Sequence, residues 1–219
     1  MMTQQHKRVI LFANGDLPAP EQMRDQLSGD NYLIAVDGGL QHLESLGLTP
    51  DLIIGDLDSV NQAQLQPYRT QGIEIRKFPT DKDETDLELA LDAACDLDPE
   101  MIWIVAALGG RLDQTLANIY LLTRSDLSDY HIRLIDGQTE VFVIRDSAII
   151  HGENGQRVSL LPLNGPATGI RTAGLHYPLL NETLYPDKTR GLSNKMVSPI
   201  VTISLHSGLL LCIHETTPE

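Results

Sequence analysis

The sequence is poor in cysteine, in basic residues and in long apolar runs. Its 219 residues include two cysteines, Cys95 and Cys212, whose wide separation matches neither a disulfide framework nor a metal-binding motif. Only 16 lysines and arginines stand against 30 acids, and the resulting net charge of −14 argues against a nucleic acid or an anionic membrane as partner. No apolar stretch approaches the roughly 18 residues of a membrane span. We therefore expect a cytoplasmic protein in which both cysteines are core residues.

The pattern of the chain changes once. From Lys7 to about Arg124, short apolar runs alternate with helix-like segments, which predicts strands and helices wound into a parallel sheet. From Ser147 onward, seven glycines and six prolines divide the chain into short alternating runs, which is typical of a small all-β module. We predict an α/β domain over residues 1–145 and a small β-sandwich-like domain over residues 146–219.

Five apolar runs of the first part end in polar or glycine-rich motifs. The runs themselves read as buried strands, and the strands of an open parallel sheet all end at one edge, where ligands bind. The motifs are Asn14-Gly15, Asp37-Gly38-Gly39, Gly55-Asp56-Leu57-Asp58-Ser59, the segment from Pro79 to Asp86, and the segment from Leu108 to Gln114. We expect the five motifs to converge on one site.

Helices are predicted after three of these turns. The first follows Gly39, and Gly47 stands where its C-terminal cap would lie. A second lies within residues 83–97 and a third follows the Gly109-Gly110 turn, each with apolar residues at helical spacing. These apolar positions are Leu87, Ala90, Leu91 and Ala94 in the second helix and Leu112, Leu116, Ile119 and Leu122 in the third.

Several acids belong to these motifs. The ones that the sheet would bring to the same edge are Asp37, Asp56, Asp58, Asp86 and Asp113. Taken singly, each has a structural explanation: Asp58 or Ser59 could cap a helix starting near Asn61, and the others could serve turns or helix dipoles. Taken together they concentrate like charge beside only Lys82 and Arg111, which is costly without a cation.

A magnesium ion would offset this concentration of negative charge, because magnesium takes oxygen ligands and is usually shared between carboxylates and phosphates. The glycine turns allow a ligand close to the backbone, and helix starts offer N–H groups to phosphate oxygens. The sequence therefore predicts a site for magnesium and a nucleoside triphosphate. It is not a P-loop site, because Gly-x-x-x-x-Gly-Lys-Ser/Thr does not occur. A nucleophile elbow is also lacking, and the seven histidines are scattered.

The motifs resemble the thiamine pyrophosphokinase family, also called thiamine diphosphokinase. The four motifs from Asp37 to Gln114 carry the resemblance in the first part. In the second part it is carried by Gly174-Leu175-His176-Tyr177-Pro178-Leu179 and by Gly191-Leu192-Ser193-Asn194. The resemblance implies transfer of a pyrophosphoryl group from ATP to the hydroxyl of thiamine, giving thiamine diphosphate and AMP. It also implies magnesium dependence, and a homodimer in which the β domain helps to form the thiamine site.

The resemblance also implies roles for individual residues. Magnesium-binding and catalytic roles fall on Asp56, Asp58, Asp86 and Asp113. Nucleotide or phosphate contacts fall on Asn14, Asp37, Lys82, Thr85, Arg111 and Gln114, and thiamine contacts on Ser193 and Asn194. Lys195 departs from the family pattern, in which an acidic or small residue is common. Tyr177 is a candidate aromatic partner for the substrate ring, but a place in the sandwich core is the stronger interpretation.

Two other classes of function stay open on the sequence. One is a related magnesium enzyme, either a pyrophosphokinase of a pterin alcohol or a phosphohydrolase. The other is a non-catalytic sensor of nucleotide or thiamine. The crowded carboxylates argue against the sensor, which gains nothing from them, and the motifs of the second part favour thiamine.

Overall fold

The chain forms two compact units in a computed structural model that describes residues 7–27, 29–58 and 62–217. The first unit comprises the chain up to Leu121 together with Asp129–Gly137, and the second comprises Leu122–Ser128 and the chain from Gln138 onward. The domain boundary after residue 145 stays a prediction. By its contacts, the strand Thr139–Ile144 belongs to the second unit because it pairs with the last strand of the chain.

The first unit is built on a sheet whose strands pair in parallel, as the alternation of strands and helices predicts. Its strands are β1 (Arg8–Phe12), β2 (Asn31–Val36), β3 (Leu52–Gly55), β4 (Glu74–Lys77), β5 (Met101–Val105) and β6 (Ile132–Asp136). They lie in the order β4-β3-β2-β1-β5-β6, with parallel register throughout. The central strand β1 is almost entirely apolar, and Val9, Ile10 and Leu11 have no exposed surface. Such a strand is covered on both faces.

Within the described residues, α-helices connect these strands. They are α1 (Pro20–Gln26), α2 (Leu40–Leu46), α3 (Gln62–Thr70), α4 (Asp86–Cys95) and α5 (Leu112–Leu121). Gly47 ends α2 in the left-handed conformation, with φ of 67°, so the predicted cap is confirmed. The suggested cap of α3 by Ser59 lies outside the described residues. None of the helices described for this chain has the length and apolarity needed to cross a membrane.

Two of the helices show how far an apolar pattern predicts packing. In α4 all four predicted apolar positions are buried, and the helix packs on β1, β2 and β3. In α5 the predicted helix is present but its apolar positions are not covered in the same way: the helix has no buried residue, and Leu112 and Leu116 are 71% and 47% exposed. Leu122, the last residue of that pattern, is buried but lies beyond the end of the helix. Spacing predicts that an apolar face exists, whereas tertiary packing decides whether it is covered.

The second unit is made mainly of strands, as predicted, and these strands pair antiparallel. They are β7 (Thr139–Ile144), β8 (Ser147–His151), β9 (Arg157–Ala173), β10 (Leu180–Leu184), β11 (Asn194–Lys195), β12 (Ile200–Ser204) and β13 (Ser207–Glu215). The 17-residue β9 serves two sheets: its first half pairs with β11 and mainly with β13, and its second half with β10 and β12. Left-handed backbone at Asn164 and Gly165, with φ of 58° and 139°, separates the halves. This arrangement is the predicted sandwich-like fold.

The cysteines occur one in each unit. Cys212 on β13 is fully buried, as expected, while Cys95 at the end of α4 is only half-buried. Neither cysteine forms a disulfide bond. The prediction that both are core residues is therefore right for Cys212 and wrong for Cys95.

Candidate active site in the first unit

All five strand-end motifs contribute to one cavity of about 350 Å³ at the carboxyl edge of the parallel sheet. Its polar lining comes from Asn14, Gly15, Asp37, Asp56, Thr80, Lys82, Glu84, Thr85, Asp86, Gly109, Gln114 and Asn118. The convergence follows from the parallel register, which ends every strand at the same edge. This volume lies within the range of roughly 300–1,000 Å³ that is usual for small-molecule sites.

Three carboxylates form the centre of negative charge. One oxygen from each of Asp37, Asp56 and Asp58 lies within 4.8 Å of the others. The backbone N–H of Asp58 donates to Asp56 Oδ1 at 3.1 Å. Asp37 and Asp56 are half-buried and Asp58 is exposed. The cluster joins the end of β2 to the end of β3, so it exists only because these strands are neighbours.

The backbone at this cluster is strained. Asp37 and Leu57 both adopt left-handed conformations, with φ of 47° and 55°. Each costs a non-glycine residue about 1–2 kcal/mol. Leu57 is 3% exposed, and packing of its side chain in the core offsets that cost. Strain held in place by packing is typical of functional sites, where it orients neighbouring groups.

Glycine is required where the turn after β2 meets the end of β1. A Cβ atom on Gly39 would lie 1.8 Å from the carbonyl oxygen of Phe12, and one on Gly38 would lie 2.2 Å from Asn14 Oδ1. His42 supports the same region, because its Nε2 lies within hydrogen-bond distance, 2.8 Å, of the Gly15 carbonyl oxygen. The glycines of this motif therefore permit close packing of two site-forming turns.

Lys82 and Asp86 form an ion pair in the lining of the cavity. Lys82 Nζ lies 2.9 Å from Asp86 Oδ1 and donates a hydrogen bond to the Pro79 carbonyl oxygen at 3.1 Å. The contact with Asp86 has the distance of an ion pair without the geometry of a hydrogen bond. Next to them, Thr85 caps α4 by accepting a hydrogen bond from the N–H of Glu88. Asp86 therefore shares the cavity with Asp37 and Asp56 while its charge is balanced by a lysine.

Asp113 and Arg111 do not belong to the cluster of Asp37, Asp56 and Asp58. They form a two-point ion pair, with Nη2–Oδ2 and Nε–Oδ1 distances of 2.5 and 3.1 Å, and both side chains are about two-thirds exposed. The pKa of Asp113 lies below its usual value. The main cause is the hydrogen bond from the Arg111 side chain, and the second is the hydrogen bond from the backbone N–H of Gln114. Neither residue belongs to the cavity lining. Of the predicted site acids, the structure thus brings together Asp37, Asp56, Asp58 and Asp86.

Sequence reasoning missed several lining residues, notably Asn118. This residue lies four positions after Gln114, on the same face of α5, and its Nδ2 donates to the Ala107 carbonyl oxygen at 2.7 Å. Helical spacing from Gln114 would have found it. Thr80 and Glu84 lie inside a motif that the sequence did single out.

In the second unit, Asn194 is buried and Ser193 is exposed. Asn194 is 8% exposed, and Ser193 has a φ of 53° and donates its N–H to Ser159 Oγ. Asn194 and Tyr177 are among the residues that line a cavity of about 360 Å³. Tyr177 is 69% exposed, so its assignment to the sandwich core is wrong. Alternation in a short, glycine-rich segment did not reveal which side faces the core.

The fold and the site together define a class of protein. In this class, a parallel-sheet domain with an acidic site at its carboxyl edge is followed by an antiparallel β domain. Residues 23–134 match the family model described as "Thiamin pyrophosphokinase, catalytic domain", and residues 147–210 match "Thiamin pyrophosphokinase, vitamin B1 binding domain". The chain belongs to the thiamin pyrophosphokinase family, which confirms the resemblance noted in the motifs. The predicted boundary at residues 145 and 146 falls between the two matched ranges.

Individual relatives agree with this assignment over the whole chain. The thiamine pyrophosphokinase of Bacillus subtilis is 32% identical over 216 residues, which cover 96% of this chain and 99% of the relative. Its crystal structure superimposes with a TM-score of 0.86 at 28% identity, covering 96% and 99% of the two chains. The thiamin pyrophosphokinase of Geobacillus thermodenitrificans gives 0.82 at 25% identity, covering 96% and 98%. The fold is therefore shared across both units.

Proposed function

We infer that this chain is a thiamine diphosphokinase, which transfers the pyrophosphoryl group of ATP to the hydroxyl of thiamine and forms thiamine diphosphate and AMP. The observation that carries the inference is the match of both units, in order, to the catalytic and vitamin B1 binding models of one family. The match of the second unit to a vitamin B1 binding model also favours thiamine over a pterin alcohol as the acceptor. A phosphohydrolase would leave that second unit without a role, and a sensor would gain nothing from the crowded carboxylates of the first unit.

The nucleotide is assigned to the cavity of the first unit. Asn14, Asp37, Lys82, Thr85 and Gln114 line this cavity, so each can reach a bound nucleotide. Lys82 brings positive charge to the lining, which suits phosphate oxygens. Arg111 is exposed and outside the lining, so its predicted phosphate contact requires that a ligand extend beyond the cavity.

The residues of the acid cluster fit a magnesium ion. Asp37, Asp56 and Asp58 offer carboxylate oxygens within 4.8 Å of one another, which is the hard oxygen chemistry that magnesium prefers. When bound there, the ion would neutralise charge on the phosphate oxygens during transfer. Asp86 and Asp113 stay proposed members of the magnesium-binding and catalytic set, and both are compensated by their own cations, Lys82 and Arg111.

Positioning and electrostatics are the main contributions of the protein to such a reaction. The acceptor oxygen and the β-phosphorus must be held in line, and water must be kept from the reacting atoms. The packed turns at Leu57 and Gly39 hold the acids in place for this purpose. One carboxylate can accept the proton of the thiamine hydroxyl as the new bond forms. Ser193 and Asn194 are assigned to thiamine binding in the second unit.

We also propose that the protein is a homodimer with a cytoplasmic location. Apolar residues repeat every four positions along the exposed face of α5, namely Leu112, Leu116 and Tyr120, and such a stripe favours association with a protein surface. The cytoplasmic location rests on the two cysteines, which form no disulfide and so suit a reducing compartment.

The experiment that tests the function is release of AMP from ATP in the presence of magnesium and one acceptor at a time. Thiamine, a hydroxymethyl pterin and buffer alone form the panel, and thiamine diphosphate is measured separately. Release of AMP with formation of thiamine diphosphate only in the thiamine sample is expected. Equal release with buffer alone would identify a phosphohydrolase, and release with the pterin alone would identify the other pyrophosphokinase.

A further inference from the structure

The turn that follows β1 is held by hydrogen bonds on two sides. On one side the Ala13 N–H donates to the Val105 carbonyl oxygen at 2.9 Å. The Gly15 N–H donates to the Ala106 carbonyl oxygen at 2.8 Å, so the turn extends the pairing of β1 with β5. On the other side, the Gly15 carbonyl oxygen lies 2.8 Å from His42 Nε2. Both polar groups of the Gly15 backbone therefore have partners, one on a strand and one on a side chain.

His42 is the donor in this contact. A backbone carbonyl oxygen only accepts hydrogen bonds, so the hydrogen lies on Nε2 of the imidazole ring. His42 is half-buried and is not among the residues that line the 350 Å³ cavity of the first unit. Gly15 and its neighbour Asn14 do line that cavity. Any influence of His42 on a bound nucleotide therefore passes through the Asn14-Gly15 turn.

The helix that carries His42 contacts the same turn at a second point. The Asn14 side chain packs against Gly38, just before α2, so closely that a Cβ atom on Gly38 would clash with Asn14 Oδ1. The helix itself is anchored in the core by its buried leucines, which are Leu40, Leu43 and Leu46. One anchored segment thus leaves room for the Asn14 side chain and supplies the hydrogen bond to Gly15.

These contacts give His42 a role that lies outside the cavity but acts on it. We propose that His42 is a positioning residue for the nucleotide, because its hydrogen bond to Gly15 sets the place of Asn14 in the cavity lining. The inference rests on the proposed function, in which Asn14 reaches the bound nucleotide. Without the His42 donor, the turn would be held from the β5 side alone. Asn14 would then have to be ordered when the nucleotide binds, at a cost in affinity.

The test compares two amide variants of His42 in the full-length protein. The amide nitrogen of glutamine can take the place of the histidine Nε2 and donate to Gly15, whereas the shorter asparagine reaches only the place of Nδ1. His42→Asn should weaken binding of α,β-methylene ATP with magnesium by roughly 2- to 12-fold, the range of one lost hydrogen bond. His42→Gln should stay within about twofold of wild type. Titration calorimetry measures this affinity without turnover, because the bridging carbon of the analogue blocks transfer.

Steady-state kinetics should show the same pattern in the KM for ATP, with the KM for thiamine unchanged. Gln41→Asn is the matched control, because it shortens an exposed amide on the same helix outside the cavity lining. Thermal unfolding of each variant separates positioning from a loss of fold. A lower Tm in both His42 variants, with wild-type affinity for the analogue, would make His42 purely structural and overturn the proposal.

A double-mutant cycle with Asn14→Ala identifies the route of the effect. If His42 acts through Asn14, His42→Asn weakens binding in the wild-type background and adds little in the Asn14→Ala background. Factors that multiply would overturn this route. Gly15→Ala keeps the proposal open to refutation if His42→Asn does not fold, because its Cβ atom would meet the Ala106 carbonyl oxygen and displace the turn. Unchanged binding of the analogue by folded Gly15→Ala would overturn the proposal.

The wild-type protein distinguishes failure of this inference from failure of the proposed function. Wild-type formation of thiamine diphosphate, together with unchanged binding of the analogue by His42→Asn, overturns the inference and leaves the function intact. Absence of thiamine diphosphate formation by the wild type refutes the proposed function. In that case the titrations with the analogue still decide whether His42 positions a nucleotide in the cavity.

Discussion

Lys82 Nζ lies 2.9 Å from Asp86 Oδ1, and the two side chains are only 13% and 22% exposed. The pair stands four residues apart at the start of α4, where the helix dipole also favours a carboxylate. One acid of the cavity is thereby balanced by a lysine that faces the same cavity. The cluster of Asp37, Asp56 and Asp58 differs, because three carboxylates meet there within 4.8 Å. A bound cation would relieve the most repulsion at that cluster.

We predict that Asp56→Asn and Asp58→Asn keep the fold and lose about 10²–10³ in kcat, as removal of one comparable electrostatic contact does elsewhere. The substitution preserves shape but removes the charge proposed to bind the metal. Steady-state turnover, together with Mn²⁺ binding followed by paramagnetic resonance, measures both effects. Asp187→Asn is the control, because Asp187 is a 74% exposed acid of the second unit. Wild-type turnover in both variants would make the cluster structural.

We predict a homodimer in solution. Light scattering coupled to gel filtration should give about twice the 24.2 kDa of one chain. Leu116→Glu should shift the mass towards the monomer, because it places a charge on the exposed apolar stripe of α5. Ile149→Glu is the matched control, as Ile149 is 58% exposed in the other unit. A wild-type mass of a single chain at micromolar concentration would contradict the prediction.

We predict that Thr85→Ala lowers the free energy of unfolding by about 1 kcal/mol, the usual loss for an N-cap. The Thr85 hydroxyl accepts from the Glu88 N–H at 3.2 Å and closes the first turn of α4. Thr85→Ser keeps an oxygen in the same place and serves as control, with urea denaturation as the measurement. If Thr85 also contacts the nucleotide as proposed, Thr85→Ala raises the KM for ATP and Thr85→Ser does not. Equal stability of the alanine and serine variants would exclude the capping role.

We predict a pH-dependent gain in stability for Asp136→Asn. Burial, and then the nearby charge of Asp16, raise the pKa of Asp136 at the end of β6. A raised pKa in the folded state means that folding favours the protonated form. The protonated Asp136 carboxyl therefore contributes stability to the folded state below the ordinary pKa of 3.8, and this contribution is lost as pH rises through the raised pKa.

Asp136→Asn should therefore raise Tm relative to wild type at pH 7, and the difference should vanish near pH 3, below the pKa in both states. Asp126→Asn is a control of opposite sign, because the hydrogen bond from Arg124 lowers the pKa of the exposed Asp126. That variant should gain nothing at pH 7. A constant Tm difference for Asp136→Asn across this range would show that its carboxyl does not titrate differently on folding.

Local patterns were sufficient for part of the architecture. The cap at Gly47, the buried face of α4 and the antiparallel second unit follow from short-range periodicity and turn chemistry, and the structure has them all. The pattern of α5 was as clear as that of α4, yet Leu112 and Leu116 are exposed. The difference is one of position, because α4 packs on β1, β2 and β3 at the centre of the sheet.

The sequence by itself determined which motifs end the strands and, through the parallel pattern, that these motifs meet at one edge. Only the tertiary structure decided the distances there. Asp37 lies close to Asp56 and Asp58 because β2 and β3 are neighbours. Asp86 forms an ion pair with Lys82, and Asp113 forms one with Arg111 outside the cavity. The tertiary structure also placed Tyr177 on the surface and Asn194 beneath its backbone. Residue type limits the chemistry a position can perform, whereas the pairing of distant segments decides which positions come within bonding distance.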